Sequence, residues 1–173
     1  MKVLLPSRCP QCNAEIQFQY QTEEIPYFSE IMLVTATCDC GFRCVDTLIL
    51  KEAEPVEWTI QVEDIGDLSA RVVRSNRGKM QIPELGISIE PGPACEACIT
   101  NVEGILCQVE DVIGRVLTWA EGAERERAMA LLQELEQVRE GRKAITIIIS
   151  DPSGNSAIIS NKATKCTLPE DQG

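Results

Sequence analysis

The chain contains no histidine. That removes His-dependent catalytic triads, the usual general base near neutral pH, and every metal site built on imidazole. Aromatic residues are scarce, at 4% of 173 residues. Positive charge is in deficit: 16 Lys and Arg face 27 Asp and Glu, for a formal charge of −11. So acidic a chain disfavours nucleic acid as a partner, because that affinity comes from Lys and Arg neutralising phosphates. Long apolar runs are missing too. No stretch approaches the roughly 18 uncharged apolar residues that a membrane span requires. The start, Met1 to Pro6, offers one Lys, a short apolar run and no small-residue cleavage site, so no secretory leader is expected.

Cysteine, by contrast, is plentiful, with nine in the chain. An odd count in a chain of this length and apolar content argues against a secreted disulfide scaffold and for a reduced, cytoplasmic setting. Two close pairs stand out: Cys9-Pro10-Gln11-Cys12 and Cys38-Asp39-Cys40-Gly41. Zn²⁺ favours four soft ligands in a tetrahedron, and cysteine pairs on two tight turns supply them without a large core. Pro10 fixes φ after Cys9, and Asn13 tolerates the left-handed conformation that turns both sulfurs inward. Gly41 plays the same part after Cys40. This is the plan of a zinc ribbon holding one structural zinc on Cys9, Cys12, Cys38 and Cys40. The second pair is C-x-C rather than C-x-x-C, which leaves Cys44 as an alternative ligand to Cys38 or Cys40. With four thiolates on one Zn²⁺ the net charge becomes about −13.

The chain divides by pattern. Residues 13–37 alternate, with Ile16, Phe18 and Tyr20 on one face and Ile31, Leu33 and Thr35 sharing another. Val45–Leu50 reads as a further strand, and the charged, proline-ended Lys51–Pro55 as the domain boundary. From Glu57 to Ile89 the pattern is β again, with Ser75-Asn76-Arg77-Gly78 as a hairpin signal whose Asn and Gly tolerate positive φ. From 101 to 141 the period is helical. Val102 to Leu117 and Arg125 to Arg139 form a helical hairpin with Asn101 or Thr100 as N-cap and Gly141 as C-cap. Ala144–Ser150 predicts a central strand buried on both faces, and Ala157–Ser160 a strand returning from the Asp151–Asn155 turn. The tail from Asn161 is polar and expected to fray.

In their order and spacing these segments resemble the ZPR-type zinc-finger proteins. Cys9-Pro10-Gln11-Cys12, Ile25-Pro26-Tyr27-Phe28 and Cys40-Gly41-Phe42-Arg43 look like the family's ribbon half. Asp67-Leu68, Arg71 through Ser75, Gly78, Ile82 through Gly86, Glu90-Pro91-Gly92, Val102-Glu103-Gly104 and Asp151 through Ser156 look like the other half. The resemblance implies an α+β, mainly β fold. A zinc ribbon (1–55) would precede a double-stranded β-helix, jelly-roll-like domain (56–162) carrying an inserted helical hairpin at about 101–141, with 163–173 a flexible tail. One ribbon-plus-domain copy resembles the archaeal form. The family resemblance also implies a non-enzymatic partner: translation elongation factor 1-alpha, bound preferentially with GDP and assisted in folding or nucleotide handling.

Candidate contacts with such a partner are the basic residues Arg71, Arg74, Arg77 and Lys79, and the aromatic pair Tyr27 and Phe28 beside Pro26. On a strand Arg71 and Arg74 point to opposite faces, so a patch needs Arg77 and Lys79 with one of them. Two other functions are weighed against this one. A zinc-ribbon adaptor contacting nucleic acid or a transcription assembly is disfavoured by the net charge. A thiol oxidoreductase would use Cys95 and Cys98, which also read as half of a metal site shared between two chains, or as neutral loop residues. The redox reading requires a helix N-terminus or a cation beside the first thiol, and the sequence places Glu96 there instead. Cys107, near the helix apolar face, and Cys166, in the tail, read as incidental.

Overall fold

The structure is a computed structural model that describes residues 2–25, 29–50, 53–92 and 95–168, with Ser29 described by its backbone alone. The aromatic pair Tyr27 and Phe28 lies outside the described residues. The chain forms two compact units, Met1–Ala53 and Glu54–Gly173.

The first unit is an antiparallel meander of β1 (Lys2–Arg8), β2 (Glu15–Ile25), β3 (Ser29–Thr37) and β4 (Arg43–Ile49), in that order across the sheet. β1 was not legible in the sequence because it is an edge strand exposed along its whole length, so no alternation marks it. The register sets Val34 opposite Tyr20 and Ala36 opposite Phe18. The residues that share a face with Phe18 and Tyr20 are therefore 34 and 36, while Ile31 is buried on the opposite face. A small cluster of Cys9, Ile16 and Ala36, with Phe18, Cys38, Phe42 and Cys44 against it, is the apolar core at the cysteine-bearing end.

The second unit is a jelly roll of two sheets. β5 (Val56–Val62), β7 (Lys79–Ile82), β8 (Ile87–Ile89), β10 (Ile145–Asp151) and β12 (Thr164–Thr167) form one, in the order β12-β5-β10-β7-β8. β6 (Arg71–Arg74), β9 (Cys98–Asn101) and β11 (Ala157–Ile159) form the other, in the order β11-β6-β9. Between β9 and β10 the helices α1 (Val102–Val116) and α2 (Gly122–Arg139) are inserted. Asn101 caps α1, its side chain accepting from the Gly104 N–H at 2.8 Å. Val102, Ile105, Leu106, Val109 and Ile113 of α1 and Ala128, Leu135 and Val138 of α2 join Ile60, Ile82, Ile147, Ile149 and Ile158 in one core. Burying such side chains stabilises by roughly 1.5–3 kcal/mol each, which makes this cluster the main cohesive element of the unit.

Four expectations are corrected. Ser75–Gly78 is not a hairpin: β6 pairs with β9 and β11, whereas β7 pairs with β8 and β10, so the turn carries the chain from one sheet to the other. β11 likewise returns to β6 rather than to β10. β10 is central, between β5 and β7, but alternates: Ile145, Ile147 and Ile149 are buried while Thr146, Ile148 and Ser150 are half-buried. The tail does not fray over 164–167, because β12 pairs with β5 from Thr164 opposite Thr59 to Thr167 opposite Val56. Lys162 ties this segment down, donating to Asp67 Oδ2 at 2.8 Å and Asp64 Oδ2 at 3.0 Å.

Candidate metal centre

Two tight turns face each other at one end of the meander. Between β1 and β2, the Cys9 N–H donates to the Ala14 carbonyl and the Asn13 N–H to the Cys9 carbonyl, both at 2.8 Å. Asn13 adopts φ 60, the left-handed turn foreseen for it. Between β3 and β4, the Cys38 N–H donates to Phe42 O and the Gly41 N–H to Cys38 O, both at 2.9 Å. Gly41, at φ 94, closes this turn in a conformation a side chain would strain.

These turns bring the Sγ atoms of Cys9, Cys12, Cys38 and Cys40 within 4.8 Å of one another. Cys9 and Cys40 lie 3.6 Å apart and Cys12 and Cys38 3.5 Å apart. Four Zn–S bonds of ~2.3 Å in a tetrahedron separate the sulfurs by about 3.8 Å, so the cluster is the right size for that ion. Cys44 stands apart. It is opposite Ala36 on the next strand and packs in the apolar cluster beneath the turns.

The thiols also perturb one another. Burial pushes the Cys9 thiol up, but the N–H groups of Cys12 and Gln11 and the neighbouring sulfurs bring it down to about 7. At Cys38 the Cys40 N–H pulls down, yet the Cys40 sulfur, burial and the other two thiols push it up to about 12. Thiols this close cannot all ionise unless a cation sits among them. Four sulfurs surrounding one ion leave no open coordination position, the arrangement of a structural rather than a catalytic metal.

The four basic candidates differ in their surroundings. Arg71 and Arg77 are exposed. Lys79 is bonded to Glu90 at 2.8 Å. Arg74 is half-buried, its Nη1 donating to Cys95 Sγ at 3.1 Å and to the Gly78 carbonyl at 3.4 Å. Cys107, expected near the apolar face of α1, is exposed and accepts from Arg139 Nη2 at 3.4 Å.

Sequence reasoning also missed a buried polar knot. The Asp151 carboxylate, fully buried, accepts from Ser75 Oγ at 2.7 Å, Ser153 Oγ at 2.7 Å, the Ser153 N–H at 2.8 Å and Ser156 Oγ at 2.6 Å. Ser156 Oγ in turn accepts from the Ser75 N–H at 3.0 Å. The Asp-Pro-Ser-Gly-Asn-Ser run contains Asp151, Ser153 and Ser156, but its turn character masked them, and Ser75 lies in a different turn.

A thiolate knuckle pair on a four-stranded meander, followed by a two-sheet jelly roll with a helical insertion, defines a zinc-ribbon protein with a jelly-roll partner domain. Residues 3–47 match the ZPR1 zinc-finger domain and residues 66–169 the ZPR1 jelly-roll domain. The chain belongs to the ZPR1 family. A ZPR1-like protein of Pyrococcus horikoshii is 40% identical over 174 residues, covering 95% of this chain and 77% of the relative. One from Methanocaldococcus jannaschii is 36% identical over 168 residues, covering 95% and 85%. The zinc finger chaperone zpr1 of Schizosaccharomyces pombe is 31% identical over 156 residues. This chain spans 34% of that longer relative. No helix among the described residues is long and apolar enough to cross a membrane.

Proposed function

We propose that this protein is a cytoplasmic, non-enzymatic, chaperone-like factor that holds one structural zinc on Cys9, Cys12, Cys38 and Cys40 and binds translation elongation factor 1-alpha. The observation that carries the reading is the closed four-sulfur cluster, which suits a metal that shapes a binding surface and leaves no site for a substrate. The absence of histidine from the sequence points the same way. The chaperone name of the fission-yeast relative supports a protein client. A formal charge of −11 favours a basic client surface, such as that of a factor that handles tRNA.

The test is binding of the zinc-loaded protein to its cognate elongation factor 1-alpha with GDP, with GTP and without nucleotide. Tighter binding to the GDP or nucleotide-free factor, abolished by zinc removal, supports the reading. Absence of binding in all three states overturns it. Of the four basic candidates, Arg71 and Arg77 are exposed. Arg71→Glu together with Arg77→Glu is expected to weaken that binding about tenfold with Tm unchanged. Unaltered affinity would exclude both residues from the interface.

A further inference from the structure

Arg74 ends β6 directly across from Cys98, the first residue of β9. Residues directly opposite on an antiparallel pair share a face, with Cβ atoms about 4.5–5.5 Å apart. The Arg74 guanidinium also reaches Cys95 Sγ at 3.1 Å. The Cys95 N–H donates to the Gly92 carbonyl at 3.0 Å. The guanidinium is thus bonded to the Cys95 sulfur and lies on the strand position facing Cys98. Burial pulls the Arg74 guanidinium down, and the Cys95 and Cys98 sulfurs more than offset it. Glu96, between the two cysteines, is exposed. The cation that the sequence did not place beside the first thiol comes from another strand.

A guanidinium against a Cys-x-x-Cys pair favours the thiolate, which is the nucleophile in thiol–disulfide exchange. Both cysteines are half-buried, so the pair is reachable from solvent. Neither belongs to the four-sulfur cluster of the ribbon.

We propose that Cys95 and Cys98 form a thiol–disulfide exchange site, positioned by Arg74, that reacts with low-molecular-weight disulfides of the glutathione class. The Cys95 thiolate attacks one sulfur of the disulfide RSSR. A Cys95–SR bond forms, the S–S bond breaks, and RS⁻ leaves to be protonated. Cys98, after losing its proton to solvent, attacks the Cys95 sulfur, forming the Cys95–Cys98 bond and expelling the second RS⁻. The protein is oxidised by two electrons, and one RSSR is reduced to two RSH. Closure exchanges the Arg74–Cys95 hydrogen bond for a covalent link from the loop to the start of β9, an edge strand of its sheet.

The experiment treats the zinc-loaded full chain with glutathione disulfide, quenches by alkylation and maps every cysteine by mass spectrometry. Two glutathiones released per chain and a Cys95–Cys98 linkage are expected. In Cys98→Ser, a glutathione adduct at Cys95 should accumulate instead. Arg74→Gln should slow the reaction at neutral pH about tenfold. Should Arg74→Gln fold poorly, the adduct in Cys98→Ser decides alone. Unlinked Cys95 and Cys98 under oxidising glutathione would overturn the proposal. So would a second zinc, shared between two chains and lost in Cys95→Ser.

Discussion

Ser75 and Asp151 are 76 positions apart in the chain, yet the hydroxyl of one donates to the carboxylate of the other at 2.7 Å. The bond joins the corner between β6 and β7 to the corner that leads from β10 to β11. Each corner passes the chain from one sheet to the other, so the pair fastens the two sheets of the jelly roll where they exchange strands. Asp151→Ala would remove the acceptor shared by the buried Ser75, Ser153 and Ser156 hydroxyls, at a cost of about 2–4 kcal/mol. Thermal unfolding should show a lower Tm for the jelly-roll transition, with zinc content unchanged. A Tm within error of the parent would mean that the knot contributes nothing net.

Stability should fall toward both pH extremes for separable reasons. Burial pushes the Asp151 carboxyl up, but the hydroxyls of Ser156, Ser153 and Ser75 hold it below the ordinary carboxylate range. Asp67 is lowered likewise, with Lys162 and the N–H groups of Glu63 and Asp64 outweighing desolvation. A depressed folded-state pKa stabilises above the unfolded value of about 4, and the gain is lost as pH falls through the folded value. Lys162 has the opposite sign. Asp67 and Asp64 raise it to about 12, so its contribution is whole below the unfolded pKa and disappears as pH rises through about 12. Melting profiles across pH should therefore lose part of their acid limb in Asp151→Asn and part of their alkaline limb in Lys162→Met. Parallel profiles in variant and parent would contradict the assignment.

Gly78 is required by space rather than by φ. It is not among the positive-φ residues, but a Cβ there would sit 2.8 Å from Ser156 Oγ and 2.9 Å from Arg74 Cγ. Gly78→Ala should destabilise by about 1–3 kcal/mol, the usual effect of overpacking. Because one contact is the Ser156 hydroxyl, Gly78→Ala should cost less in a Ser156→Ala background than in the parent. Strict additivity in that double-mutant cycle would place the strain elsewhere.

The ribbon should depend on metal and the jelly roll should not. Among its described residues the ribbon buries only Cys9, Ile16, Ile31, Val34 and Ala36, too few to hold a small unit without a metal. Chelation, or Cys12→Ser, is expected to abolish the ribbon's cooperative transition while the jelly-roll transition persists. Cys44→Ser should retain the same zinc content as the parent, and Cys40→Ser should lose it. Zinc loss in Cys44→Ser with retention in Cys40→Ser would exchange their roles.

The two knuckles were legible because each is local. Asn13 and Gly41 lie within a residue of the cysteines whose direction they set, and their left-handed φ values need no information from elsewhere. The same holds for α1, whose apolar period and Asn101 cap lie in one continuous segment. The edge strands β1 and β12 were not legible. Both are exposed throughout, so no alternation distinguishes them from coil, and only an unpaired neighbour makes them strands. Ser75-Asn76-Arg77-Gly78 is the instructive failure. Its turn chemistry suits a hairpin and a sheet-to-sheet corner equally, since a turn does not encode which strands will take the backbone groups that follow it.

By itself, then, the sequence determined the thiolate cluster, the helical hairpin and the alternating strands of a mostly β chain, because each is set by contacts over a few residues. Tertiary structure decided the rest through contacts between residues far apart in sequence. It placed Cys44 opposite Ala36, outside the four-sulfur cluster, and it paired Lys79 with Glu90. It buried Asp151 among three serines and laid Arg74 against Cys95. Pairings of this kind depend on which strands become neighbours, and that choice is made by burial of the whole core rather than by any local run of residues.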